Sequence, residues 1–585
     1  MRLGNRKLWL PGLAATLGTV ALLVAGCGTT PPSGPTLAKN QVFNFNYPDG
    51  ATDIATMDPQ QVQDTGSYGV VQLVFDGLVA QDNNLAVEHW GAKSWDISAD
   101  GLTYTFHLRS GQAFSNGTPV TSTDYAYSIN RVINPCVASP VSYYLTGTAN
   151  ELIKDSVAFN SEVCSDPKAG TLTPKKGSTA PLITTLVGDS ILTPDDQTLV
   201  IKLSNPAAYF LEAMTYPVTY AVDPSVVGPV LSNETWTDKL YQGATGQGGS
   251  GMYYMAKWDH NSGIIVLKQN PHWWGLTQGK TPFLKEIDFT IFNSSDTAYA
   301  AYQAGQFDTG TPTSQLLAAA KQQPDFHQTG TLTFYGVEFN YKKPPFDDLN
   351  ARKAFCLAIN RDVLNSSILK NADTPHWNIV PKGMPGYNPN VTGPEGVTAT
   401  TGDATKAVAD WTAYKAAHTG AIATPSYLYV ASSKSSQQLA TALIAQWQQV
   451  LGVSVTPNGE DFNKFVADDN AGNYVITRFG WADDYPDPQD FLTLLFSTGA
   501  QYNSQGASVP AADTLMFAAD KSSNQADRIS KYNQAEQLLI NDVATCPLYS
   551  GNAYYQVRSY VHGWSINAST ETALDVWVNT YIAPH

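Results

Sequence analysis

Beyond its first 26 residues the chain has no apolar run long enough to cross a bilayer, so the body reads as a globular protein outside the membrane core. It has no CxxC pair, and its nine histidines never fall into H-E-x-x-H, which removes cysteine zinc sites and zincin-type proteases. GQGGSGM (Gly246 to Met252) offers no G-x-S-x-G, because Met252 stands where the last glycine belongs. GLTQGKT (Gly275 to Thr281) fails as a P-loop, with three residues between Gly275 and Gly279 where four are needed. It reads as a turn between strands. Positive charge is scarce too: 34 Lys and Arg stand against 50 Asp and Glu, a net −16. Such a balance argues against nucleic acid and against docking on anionic headgroups.

What is present starts at the N-terminus. Arg2, Arg6 and Lys7 precede LWLPGLAATLGTVALLVAG, which stops at Cys27. A basic segment, an apolar segment and small residues before a cut describe a secretory leader over residues 1–26. Val24-Ala25-Gly26-Cys27 resembles a bacterial lipobox, with Cys27 as the lipidated residue. Residues 27–40 then form a Pro/Ser/Thr-rich tether. Without the three basic residues of the leader, 31 Lys and Arg oppose 50 acids, a net −19. Four further cysteines remain in an oxidising exterior. Cys136 and Cys164 lie in one loop-rich stretch and are expected to bridge it; Cys356 and Cys546 are read as either a second pair or two buried thiols.

Strand and helix patterns alternate along the body, which gives layered α/β architecture and two or three domains. SYGVVQLVFDGLV reads as a helix packed by Val70, Val74 and Leu78, and Leu102, Tyr104, Phe106 and Leu108 alternate as a strand. Residues 136–180 read as an irregular polar excursion on the surface. Leu439, Leu443, Trp447 and Leu451 share one helical face, with VSV following as a strand.

The richest stretch is GWADDYPDPQDF, Gly480 to Phe491, which sets four aspartates among three aromatics and two prolines. Its spacing is not that of an EF-hand, and the prolines stiffen the place where a calcium loop must wrap. Asp487 and Asp490 read as turn formers or helix caps, since Asp flanking Pro commonly does that work. A glycosidase carboxylate pair stays open as a reading, although nothing else supplies the rest of such a site.

The order of motifs resembles the large extracytoplasmic solute-binding proteins of ABC importers, in the peptide/nickel family, and within it the oligopeptide-binding proteins. The matching pieces are TMDP, VFDGLV, SWDISADGLTYTFHLRSGQAFSNGTPVTSTDYAYSINR, GSGMYYMAKW with LKQNPHWWG, and AGQFD. They continue through PPFDDLNARKAFCLAINRD, GWADDYPDPQDFL and YNQAEQLL to CPLY. The resemblance implies a bilobal α/β body of the periplasmic-binding-protein type, with the ligand cleft between lobes joined by two crossing strands, FYGVEFN and PLYSGNAYYQV. Lobe I is expected to gather residues 41–67, 181–335 and 548–585, with 68–180 as its side domain; lobe II is expected over 336–547.

By the same resemblance, Asp484 takes the α-ammonium of a peptide, with Gly480, Trp481, Asp483 and Tyr485 around it. Arg478, on the strand entering the loop, matches a position that faces the peptide carboxylate. Two departures stand out: Gln63 occupies the place of an acid in enteric relatives, and Val141 replaces a ligand-facing tyrosine, with Tyr143 close by. The implied function is a lipid-anchored, monomeric receptor on the outer face of the cell membrane that feeds oligopeptides to ABC permease subunits. It needs no catalysis, metal or cofactor. Other members of that fold family bind oligosaccharides or nickel complexes, which stand as alternatives. A secreted hydrolase is the reading from a different class.

Overall fold

The structure is a computed structural model that describes residues 35–47, 53–147, 150–228 and 234–585. The leader, the lipobox with Cys27 and most of the tether lie outside the described residues. Among the described residues no helix is long and apolar enough to cross a membrane.

The N-terminal half supplies β1 (Val42–Tyr47), α1 (Thr65–Val74), β2 (Ala92–Ile97), β3 (Thr103–Leu108), α2 (Ser122–Ile133), β4 (Ile191–Asp195) and β5 (Thr198–Lys202). Next come β6 (Tyr253–Asp259), β7 (Ile264–Gln269), β8 (Glu286–Ile291), β9 (Thr309–Gly310), β10 (Phe326–Gly330) and β11 (Thr333–Phe339). The rest brings β12 (Thr374–Pro375), β13 (Ser426–Val430), α3 (Lys434–Leu451), β14 (Thr456–Glu460) and β15 (Ile476–Ala482). It ends with α4 (Pro488–Phe491), α5 (Gln525–Asn541), β16 (Cys546–Ser550) and β17 (Asn552–Val557).

These strands form four larger sheets, ordered β1-β8-β7-β6, β2-β3-β5-β4, β9-β17-β10 and β12-β16-β11-β15-β13-β14. The last two are joined twice by the chain. β10 leads into β11 through residues 331–332, and β16 leads into β17 through Gly551. The crossings are tied to each other: Thr331 N–H donates to the Gly551 carbonyl at 3.1 Å, and Gly551 N–H to the Thr333 hydroxyl at 2.8 Å.

Three apolar cores follow the sheets. One gathers Phe43, Trp273, Trp274, Ile287 and, from the C-terminal end, Trp577. A second is built on Phe106, Ile129, Leu199 and Phe210. The third holds Phe339, Phe355, Leu443, Trp447 and Leu548. Full burial of each such side chain contributes about 1.5–3 kcal/mol. In α3 the periodic face is the buried one: Leu439, Leu443, Trp447 and Leu451 all point into the third core. Ser433 caps its start, and Gly452 ends it in the left-handed region at φ 70°.

Motifs that are distant in sequence meet in space. Asp76 of VFDGLV accepts the indole N–H groups of Trp90, Trp273 and Trp274 at 2.8, 2.9 and 2.8 Å. Asp58 of TMDP is clasped by both terminal nitrogens of Arg131, from the end of α2. Disulfides join Cys136 to Cys164 and Cys356 to Cys546, with Cα atoms 5.0 and 5.6 Å apart.

Three expectations need correction. The helix over SYGVVQLV stops at Val74, because Phe75 is extended; Leu78 therefore lies beyond it and packs in the second core. VSV precedes β14 rather than forming it, and Val455 is a core residue. Residues 136–180 are more than a surface excursion: two short helices there place Tyr144, Leu145 and Phe159 in the second core.

Candidate functional site: an acidic cavity beyond β15

β15 lies antiparallel to β11, with Gly480 opposite Tyr335 and Trp481 opposite Phe334. A Cβ on Gly480 would sit 2.6 Å from the Tyr335 ring, so only glycine lets that ring lie against the strand. Past Ala482 the chain turns through the acidic loop, and the four aspartates separate into two kinds.

Two are bound by the protein itself. Asp487 caps α4 by accepting the Gln489 N–H at 2.8 Å, and its two oxygens also take both terminal nitrogens of Arg528 from α5. Both partners of that ion pair are buried. Asp490 is buried as well, but it is not a cap: its Oδ2 accepts the Trp481 indole N–H and the Asp484 N–H, each at 3.1 Å. Tyr485 is turned away from solvent into the second core, between the rings of Tyr144 and Tyr209 at 6.0 and 6.2 Å, and its hydroxyl donates to Gln489. Tyr485, grouped with ligand contacts on sequence grounds, is thus a packing residue that pins the loop.

The other two, Asp483 and Asp484, open on a cavity of about 580 Å³. Gln63, Tyr143, Gly480 and Trp481 line it with them. Among the walls that sequence reasoning missed are Asp64, Tyr68, Tyr144, Tyr216 and Tyr502, and the pair Ser569 and Glu571 from the C-terminal turn. Tyr143 and Tyr502 meet across the cavity through their hydroxyls at 3.1 Å. Adjacency to Tyr143 was the signal that could have found Tyr144; Glu571 carries no local motif. No Lys, Arg or His is among the lining residues.

Charge in this space is poorly compensated. Burial raises the Asp484 carboxyl from its ordinary 3.8 to about 7, while the hydroxyls of Tyr144 and Tyr143 act the other way. Its Oδ2 is buried with no hydrogen-bond partner among the described residues. Burial also raises Asp483 to about 7, opposed by the Ser569 hydroxyl, which donates to it at 2.6 Å, and aided by the charge of Asp484. Asp490 is pushed well above the carboxylate range by burial and then by Asp484. Glu571 goes the same way through burial and then Asp483, against a 3.3 Å hydrogen bond from Gln72 of α1. A carboxylate left unpaired in a closed space costs several kcal/mol unless it is neutralised or meets a cation. A cation in this space would stabilise the ionised form of these carboxyls.

Arg478 does not line the cavity. It shares the Gly480 face of β15, its guanidinium carbon sits 4.9 Å from the Tyr335 ring centre, and its Nε is buried without a hydrogen-bond partner among the described residues. Its positive charge acts on Asp373, whose carboxyl burial raises to about 6. Among the described residues no cluster of three or more His, Cys, Asp or Glu is arranged to hold a metal ion.

Comparison with known proteins bears on this cavity. A profile described as "Bacterial extracellular solute-binding proteins, family 5 Middle" matches residues 86–503. The periplasmic oligopeptide-binding protein OppA of Escherichia coli K12 is 28% identical over 579 residues, covering 96% of either chain. A second protein of that strain, YgiS, described as a probable deoxycholate-binding periplasmic protein, is 25% identical over 576 residues, again 96% of each. Among solved structures, an oligopeptide-binding protein of Borrelia burgdorferi superposes with a TM-score of 0.74 at 25% identity, over 92% of this chain and 99% of its own.

Proposed function

Since the chain belongs to the bacterial extracellular solute-binding proteins of family 5, we propose that it is a lipid-anchored receptor that captures oligopeptides by closure of two lobes and delivers them to an ABC importer. The observation that carries this is Asp484, a carboxylate with a buried, unpartnered oxygen facing a cavity that has no basic side chain. Every peptide presents one fixed cation, its N-terminal ammonium, whatever its side chains are. A charge-assisted bond to that group is worth about 1.5–3 kcal/mol. Trp481 gives the first residue an apolar wall, and the guanidinium of Arg478, two residues back along β15 and with its Nε unpartnered among the described residues, suits the carboxylate of a short peptide. Two crossings between the β9-β17-β10 sheet and the six-stranded sheet support hinge closure, which turns binding into a shape a permease can read. Cys27 supplies the anchor.

The competing ligand classes fit the cavity less well. A bile acid brings a carboxylate into a space lined by Asp483, Asp484 and Glu571, where like charges repel. A neutral sugar leaves the Asp484 charge uncompensated. For a hydrolase, Ser550 and His376 are hydrogen-bonded, but neither residue lines the cavity.

A thermal-shift titration of the detergent-solubilised full chain with tri- to pentapeptides, each beside its N-acetylated twin, tests the proposal. Free peptides at 100 times Kd should add about 2.7 kcal/mol of stability. The acetylated twins should add little. Equal stabilisation by both forms, or by neither, contradicts it.

A further inference from the structure

The same cavity holds more negative charge than one ammonium needs. Asp484 answers the N-terminus, and Asp64, also on the wall, caps α1 by accepting the Ser67 N–H at 2.8 Å; Asp483 and Glu571 are left over. They come from two separate segments 88 residues apart, Asp483 at the exit of β15 and Glu571 in the turn 567–571. That turn is firmly set: Asn567 N–H donates to the Glu571 carbonyl at 2.8 Å, and Glu571 N–H donates to the Asn567 side chain at 3.1 Å. Thr570, a β-branched residue, is held between them at φ 63°, a conformation such residues avoid. The result brings Ser569 and Glu571 together onto the cavity wall.

Each of the two acids has only a neutral contact from the protein. Ser569 donates to Asp483 at 2.6 Å, and Gln72 to Glu571 at 3.3 Å. The titratable groups that line the cavity around them are hydroxyls and further acids, Tyr68 from α1, Tyr216, Asp64 and Asp484, with no basic side chain. Arg478 lies outside the cavity. Contrast Asp487, where burial of a carboxylate is matched by Arg528.

Resting on the peptide reading above, we propose that Asp483 and Glu571 form a second cation subsite, occupied by the basic side chain of the ligand's first residue, so that the receptor selects oligopeptides beginning with lysine or arginine. Consecutive Cα atoms are about 3.8 Å apart, so the carboxylates of Asp483 and Asp484 serve two positive groups carried on one residue. The α-ammonium meets Asp484, and the side chain, on its flexible aliphatic stem, reaches Asp483 and Glu571. Ser569 and Gln72 keep both acceptors oriented. Burial that raises the two acids in the empty cavity favours the same outcome, because a cation returns them to the ionised form.

The test is calorimetric titration of the detergent-solubilised full chain with Lys-Ala-Ala and with norleucine-Ala-Ala, whose first side chain has similar length and no charge. A second set uses E571Q and D483N, and 1,5-diaminopentane serves as a dication without a peptide bond. Lys-Ala-Ala should bind at least about ten-fold more tightly than the norleucine peptide, as a buried charge-assisted pair implies. That ratio should collapse toward unity in both variants. Equal affinities in the unaltered protein, or a ratio that persists in both variants, overturns the subsite. If neither peptide binds but the diamine does, and E571Q weakens it, the subsite stands and the peptide reading falls. Failure of all three ligands overturns both.

Discussion

Asp484 and Asp487 stand three residues apart in one loop and live in opposite electrostatic worlds. Asp487 is buried, caps a helix and is gripped by both terminal nitrogens of Arg528. Asp484 faces the cavity with one oxygen unpartnered, and burial lifts its carboxyl to about 7. The first carboxylate has been given a cation by the fold; the second has not. The difference teaches that the loop's acids are not one motif with one job. Asp487, with Asp490 and Tyr485, builds a buried platform, and the platform holds Asp483 and Asp484 on the wall of a cavity lined by no basic side chain.

The comparison breaks most visibly at the structural end. Asp487→Asn leaves Arg528 charged and buried, which should cost about 3–5 kcal/mol of unfolding free energy, read from the denaturant midpoint. Replacing both partners together, as Asp487→Asn with Arg528→Met, should recover part of that loss. If Asp487→Asn is neutral, the ion pair does not hold the loop.

A pH titration sharpens the functional end. In the empty protein Asp483 and Asp484 sit near 7 when folded and near 3.8 when unfolded. Between those values the folded form binds more protons than the unfolded one, so their contribution to stability falls as pH rises from about 4 to about 7 and then levels off. Asp64, Glu571 and the hydroxyls of Tyr68, Tyr143, Tyr144, Tyr216 and Tyr502 face the same space, with Asp490 buried behind it, and Glu571 and Asp490, both raised by burial, bias the slope in the same direction. Peptide affinity should run the other way, weakening below about pH 7 as Asp484 takes up its proton. The slope of the empty protein should shrink in Asp484→Asn, and an unchanged slope there would show that other groups carry the titration.

The smallest effect belongs to the Tyr143–Tyr502 hydroxyl contact across the cavity. Tyr502→Phe should weaken peptide binding by about 0.5–1.5 kcal/mol and leave the unfolding midpoint nearly unmoved. A shift of the midpoint with no change in affinity would make that contact part of the scaffold alone.

Much of this was legible in the chain because the relevant signals are local. The helix Lys434–Leu451 shows its buried face every three to four residues, and the acidic loop advertises itself by density of Asp and Pro. The role proposed for Asp484 was legible only through a resemblance to a family, since nothing in ADDYPDP distinguishes the acid that meets Arg528 from the one that meets no cation. That distinction is tertiary: Arg528 lies 41 residues downstream of Asp487. The end of α1 was misread for the same kind of reason, because the pattern of Val70, Val74 and Leu78 continues past the point where Phe75 extends and Asp76 is taken by three tryptophans. Ser569 and Glu571 reach the cavity through a turn near the C-terminus, and no spacing rule connects them to residue 483.

The most direct test is to measure, for Asp484→Asn beside the unaltered chain, the unfolding midpoint and the Kd for one free tripeptide at pH 8. Removal of an unpartnered buried charge should leave the midpoint equal or higher, while loss of a charge-assisted bond should raise Kd by about ten-fold to a hundred-fold. A lowered midpoint, or an unchanged Kd, would contradict the assignment of Asp484 as the acid kept free for the ligand.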